Sequence, residues 1–213
     1  MPAPPAAGPE GPTRPRTATT PPERPTRPRT ATTPPERPTR SPTATGPSSR
    51  ASSRTMIRRA TPADLDAVVA LHTEARATYY RGHLPDADFL GPEEVARSRA
   101  GWAAAVGRGA VLCAERDGEV AGVAAYGERD GLMHLTQLHV LPARWRAGVG
   151  TALHTACTDA WRAAGVTEAR LEVFEKNERA RAFYAAHGWS PDPENPRDGD
   201  HLVLRLTLAP QAE

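Results

Sequence analysis

Between residues 55 and 56 the sequence changes character. Residues 1–55 hold 15 of the 23 prolines and no Leu, Ile, Val, Phe, Tyr or Trp. Ordering a chain costs roughly 1–2 kcal/mol per residue in backbone entropy, and this segment has no apolar side chains of the size needed to offset it. It is expected to be a disordered tail. Residues 13–25 recur identically as 26–38, and a third copy starts at Thr39 and decays. A 13-residue period without hydrophobic positions cannot stack into a solenoid, so an extended polyproline-rich coil is expected. What folds must then be residues 56–213, a length suited to a single core. Met56 opens the first strand-like segment and is a candidate start in its own right.

Charge divides at the same place. The tail carries nine Arg and three Glu, the remainder 18 basic and 22 acidic residues, so a basic tail precedes a mildly acidic domain. Basic tails bind phosphates. Here, though, Lys176 is the only lysine among 27 basic residues. With the abundance of Ala, Gly and Pro this reads as GC-rich coding, and nucleic acid is disfavoured as a partner. Cys113 and Cys157 lie among apolar neighbours and are expected to be reduced core residues of a cytoplasmic protein. No apolar run approaches membrane-spanning length and no apolar signal segment opens the chain, so no membrane association is expected.

From residue 56 the periodicity is that of a packed α/β domain. Residues 56–60 read as a strand. Thr61, Pro62 and Asp64 read as a helix start, with Leu65, Val68, Val69 and His72 on one face. Residues 78–91 read as a loop and 92–106 as a second helix. The pair Asp117-Gly118 between 111–115 and 120–126 signals a hairpin. A strand at 133–141, a helix at 148–164 and a strand at 169–174 form a parallel βαβ unit. Residues 177–187 read as a helix stopped by Gly188, and 201–208 as the last strand. The expected fold is α/β of α+β type: a mixed, mostly antiparallel sheet with helices on both faces.

The chemistry sits at the strand-to-helix junction Arg144, Trp145, Arg146, Ala147, Gly148, Val149, Gly150, Thr151. Glycines let a ligand approach the backbone, and the unpaired N–H groups of a helix start attract an anion. Taken alone this turn is ambiguous. Leu153 stands where a dinucleotide-binding fingerprint needs its third glycine, and no Gly-Lys-Ser/Thr follows to make a phosphate-binding loop. A tight turn without ligand also fits.

A second element follows the next strand: Asn177, Ala180, Phe183, Tyr184, Gly188 and Trp189 at spacings of three, three, one, four and one. Together the two elements resemble the GNAT superfamily of N-acetyltransferases, over residues 56–208. One motif of that family is Arg/Gln-x-x-Gly-x-Gly/Ala after a strand; the other is Asn-x-x-Ala-x-x-Phe/Leu-Tyr-x-x-x-Gly-Phe/Trp. Here Trp145 departs from the first, standing at the Arg/Gln position.

The resemblance implies acetyl-CoA as co-substrate, no metal, and transfer of the acetyl group by direct attack of an amine on a small molecule or peptide. It implies that Leu138, His139 and Val140 on the strand, with the Val140 N–H, meet the thioester. The junction 144–151 would hold the pyrophosphate, and Asn177, Ala180 and Phe183 the pantetheine arm. Tyr184 would be the general acid. His139 is the first candidate for the base, ahead of His134, Glu172 and Glu175; strand alternation sends it to the face of Gln137, opposite Leu138 and Val140. The acceptor is expected beside 78–91, 126–130 and 190–200, where Asp86, Asp88, Glu128 and Asp130 hint at a cationic amine. The resemblance leaves a homodimer open. From another functional class, a non-catalytic acyl-CoA-binding module stands as the alternative. His154 and Cys157, three apart on a helix, are too few for a metal site.

Overall fold

The computed structural model describes residues 54–209. The expected tail and its repeats lie outside the described residues, save Arg54 and Thr55.

Strand β1 (Met56–Arg59) leads through a short 3-10 turn into helix α1 (Leu65–Tyr80). The start holds because Asp64 accepts from the Thr61 N–H at 2.7 Å and from its hydroxyl at 2.9 Å, while both its oxygens take Arg58. That contact holds the Asp64 carboxyl well below the usual range. Segment 78–91 is not the loop expected. Helix α1 runs on to Tyr80, and a one-turn helix α2 (Asp86–Leu90) follows with Phe89 buried, because Tyr80 packs its ring on Phe89. Helix α3 spans Pro92–Gly107.

Strands β2 (Val111–Arg116), β3 (Glu119–Arg129) and β4 (Leu132–Val140) form a meander. Helix α4 (Val149–Ala163) then crosses to β5 (Glu168–Phe174), and α5 (Glu178–Ala186) follows. Two-residue strands β6 (Ser190–Pro191) and β7 (Arg197–Asp198), too short to leave a hydrophobic period, precede β8 (His201–Thr207). The sheet order is β1-β2-β3-β4-β5-β8-β6, with β7 also on β8. Among the named strands only β4 and β5 pair in parallel.

Each face carries its own core. Leu112 and Ala114 of β2 turn toward α4 and α5, joining Val149, Leu153, Cys157 and Trp161. Val111 and Cys113 turn toward α1 and α3, joining Val68, Leu71, Trp102 and Val106. A continuous apolar run in a strand buried on both sides has this origin. Helix α4 lies so close to β3 that a Cβ on Gly122 would stand 2.8 Å from Val149 Cγ1 and 2.9 Å from Leu153 Cδ1. Only glycine allows that approach.

Candidate active site

The parallel ladder between β4 and β5 stops after two pairs, Met133 with Ala169 and His134 with Arg170. Beyond them β4 stays paired to β3 as far as Val140, and β5 to β8 as far as Phe174. The two strands part where the β3–β4 register slips at Ala125/Tyr126, leaving Thr136 as an extra residue whose hydroxyl donates to the Ala125 carbonyl at 3.0 Å. A bulge bends its strand and sharpens the local twist. The Leu141 N–H donates to Ala121. Antiparallel alternation therefore turns the N–H groups of Leu138 and Val140 away from β3, into the gap.

A cavity of about 320 Å³ fills this gap. Leu138, His139, Val140, Arg144, Trp145, Arg146, Gly148, Gly150, Thr151, Asn177, Ala180, Phe183 and Tyr184 line it. Ala147 and Val149 do not. The Ala147 carbonyl accepts from Arg116 at 3.0 Å on the outside of the turn, and Val149 is an anchor of the core beneath.

At one end lies the start of α4. Gly148 sits at φ +80°, a conformation costly for any residue with a Cβ. It offers no side-chain cap, so the N–H groups of Val149, Gly150 and Thr151 have no intrahelical partner; the first helical bond is Ala152 N–H to Gly148. Such an end suits an anion. The two arginines of the turn are not equivalent. Arg144 is held by Asp117 of the β2–β3 hairpin at 3.2 Å, whereas Arg146 makes no ion pair among the described residues. Trp145, standing where an Arg or Gln is usual, donates its indole N–H to the Val140 carbonyl at 2.9 Å. The Arg179 guanidinium lies over its ring at 3.2 Å and reaches Thr78 of α1. A guanidinium from α5 thus covers the ring at position 145. Asn177 caps α5 through Ala180 N–H at 3.1 Å.

Tyr184 and His139 reach the cavity from opposite faces of the sheet. Tyr184 belongs to the α4–α5 core, and burial pushes its phenol above the ordinary value, so it keeps its proton at neutral pH. His139 belongs to the α1 side. Its Nε2 pairs with Gln137 Oε1 at 2.6 Å and its ring meets His72 edge-on at 4.7 Å. Burial lowers its proton affinity well below the usual value, helped by His72 and Arg76, so the ring is neutral. His72 is likewise lowered, to about 4, chiefly by burial, and its Nδ1 meets Ser98 Oγ at 2.8 Å.

The other base candidates lie elsewhere. His134 is in the paired part of β4, Glu172 is exposed, and Glu175 is tied to Arg197 and Lys176. His154 accepts the Trp189 indole N–H at 2.9 Å, and burial raises the Cys157 thiol to about 12. Among the described residues no three metal-ligating side chains converge.

Of the segments expected beside the acceptor, 78–91 reaches this cavity and its neighbour through Tyr79 and Tyr80. Asp86, Asp88, Glu128 and Asp130 line neither this cavity nor its neighbour, nor do 126–130 and 190–200. The neighbouring cavity of about 480 Å³ is walled by α1 and α3 instead, through His72, Arg76, Tyr79, Tyr80, Glu94, Arg97, Ser98 and Trp102. The signal for these residues was present as spacing: 72, 76, 79 and 80 on one helix, 94, 98 and 102 on the other, each along one helical stripe.

Residues 69–189 match the Acetyltransferase (GNAT) family, more than half of the chain, and the protein belongs to that family. It is an acyltransferase of the GNAT fold. No curated protein matches the sequence. Among solved structures it is similar to the PaiA N-acetyltransferase of Thermoplasma acidophilum in complex with coenzyme A, at 18% identity and TM-score 0.67, over 72% of this chain and 99% of that one. It is also similar to YncA of Salmonella typhimurium with its cofactor acetyl-CoA, at 21% identity and TM-score 0.56, over 76% and 98%. A GNAT-family structure from Desulfovibrio desulfuricans matches at 24% identity and TM-score 0.56, over 73% and 100%. Among the described residues no helix is long and apolar enough to cross a membrane.

Proposed function

We propose that the protein transfers the acetyl group of acetyl-CoA to a primary amine by direct attack. The observation that carries this reading is the convergence of three features on one cavity: an uncapped helix start behind a glycine turn, backbone N–H groups turned into a strand gap, and a protonated tyrosine. The fit to coenzyme A rests on the same features. The α4 N–H groups, Arg146 and Arg179 would hold the diphosphate, and Asn177, Ala180 and Phe183 would flank the pantetheine arm.

The co-substrate supplies an activated thioester. The Val140 N–H donates to the carbonyl oxygen as it gains negative charge, an interaction strengthened by exclusion of water. The amine nitrogen bonds to the carbonyl carbon and the carbon–sulfur bond breaks. Tyr184 gives its proton to the departing sulfur. The proton lost by the amine goes to neutral His139, directly or through one water, since the two groups approach from opposite faces. Cys113 and Cys157 are buried and unbridged, which suits a reducing compartment, and we assign the protein to the cytoplasm on that ground.

The test is release of free thiol from acetyl-CoA across a panel of amines, with the product identified by mass. Stoichiometric release and acetylated amine are expected. Tight acetyl-CoA binding with no release for any amine would instead assign the chain to the non-catalytic acyl-CoA-binding class.

A further inference from the structure

We infer that the α1–α3 cavity is the seat of an anionic group on the acceptor, so that the substrate is an amine carrying a carboxylate or phosphate at its other end. The inference rests on the acetyltransferase reading of the adjacent gap.

Three arginines line this cavity, Arg76, Arg97 and Arg108, against a single carboxylate, Glu94. Both oxygens of Glu94 are spent, one on Arg76 and one on Arg97, each at 2.6 Å. His72, the remaining titratable nitrogen on the wall, is neutral at physiological pH because burial lowers its proton affinity. Arg108 makes no ion pair among the described residues. The wall therefore carries a net positive charge that the protein itself leaves uncompensated. Arg76 adds weight because its side chain is only 17% exposed, and a cation so shielded attracts an anion with less screening than one in open solvent. It also lies 5.2 Å above the Tyr80 ring, which fixes where its guanidinium points.

The position of the cavity decides what the charge is for. It shares Tyr79, Tyr80, Thr136 and Gln137 with the strand gap. A short molecule can place its anion among the arginines and its amine at the gap, passing between aromatic walls that suit an apolar spacer. A diamine or polyamine would bring its second cation against three arginines. The same charges that select the anion exclude that class.

The experiment is calorimetric titration of matched amines into the full chain saturated with coenzyme A, alongside thiol release from acetyl-CoA. The pairs are 5-aminopentanoate with its amide, glutamate with its diamide, and phosphoethanolamine with ethanolamine; putrescine is the cationic control. At least about tenfold tighter binding of the anionic member is expected in the carboxylate pairs, the phosphate pair or both, which distinguishes the two anions. Arg108→Gln should erase most of that preference, and Arg108→Glu should invert it, with acetyl-CoA affinity unchanged. Since Arg108 is exposed, both variants should fold; circular dichroism checks that they do. Equal or tighter binding of the members that lack the anion overturns the inference. An anion preference that Arg108→Glu leaves intact overturns the assignment to this cavity. Preferential binding without thiol release leaves the anion seat standing and overturns the acetyltransferase reading instead.

Discussion

The two ends of the site are built on different terms. At the proposed coenzyme end one turn and the starts of α4 and α5 supply nearly every group, and many are backbone atoms. The charge there comes from unpaired N–H groups, with Arg146 and Arg179 beside them. At the proposed acceptor end the groups are side chains from α1, α3 and β4, and the charge comes from arginines that outnumber their one carboxylate. Backbone chemistry is set by glycine spacing and tolerates change around it. Side-chain chemistry is set by which helices meet, and it can be retuned by single substitutions.

The largest effect that probes this contrast is acid destabilisation shared by both halves. His72 on the acceptor side and His154 on the coenzyme side are both lowered to about 4 by burial. A depressed histidine means that the unfolded chain binds the extra proton, so stability is fully present above the unfolded value near 6.5 and falls as pH drops toward 4. Each should cost about 2 kcal/mol between pH 7 and pH 5. Urea denaturation at the two pH values checks this. His72→Gln and His154→Gln should each remove one share of the slope, and a slope unchanged by both would break the symmetry.

Next in size is Gly122→Ala, which drives a methyl into Val149 and Leu153 beneath the coenzyme turn. It should cost about 1–3 kcal/mol by overpacking, read as a lower denaturation midpoint with weaker acetyl-CoA binding. Tyr184→Phe should slow turnover at least about tenfold, about 1.4 kcal/mol, with acetyl-CoA affinity nearly unchanged. Unchanged turnover, with chemistry shown to limit the rate, would remove Tyr184 from the acid role. Trp145→Phe keeps a ring under Arg179 but loses the bond to the Val140 carbonyl. It should cost about 1 kcal/mol, seen as a raised KM for acetyl-CoA and a slightly lower midpoint. Smallest is the pair Asp86→Asn and Glu128→Gln. These carboxylates line neither cavity, so kcat/KM for any amine should stay within about twofold, well under 1 kcal/mol. A larger loss would return the acceptor end to the acidic loops.

The sequence by itself determined the local structure of the strand–turn–helix junction. Strand, glycine turn and helix are contiguous between 132 and 163, so local signals sufficed: Gly148 for a positive φ, Gly150 beside it, and Asn177 to cap the next helix. The alternation that put His139 beside Gln137 and opposite Val140 was legible for the same reason, because it needs only the two-residue period of a strand. Its register with α1 was not legible. That His139 meets His72, that Arg179 covers the Trp145 ring, and that Arg76 and Arg97 share one carboxylate in a cavity also lined by Arg108 depends on elements tens of residues apart brought together by two cores on opposite faces of one sheet. The helical stripes on α1 and α3 were visible, but a stripe says only that its residues share a face. What that face meets is decided by packing, and here packing made it in part core, at Trp102, and in part the arginine-lined wall of a cavity beside the strand gap.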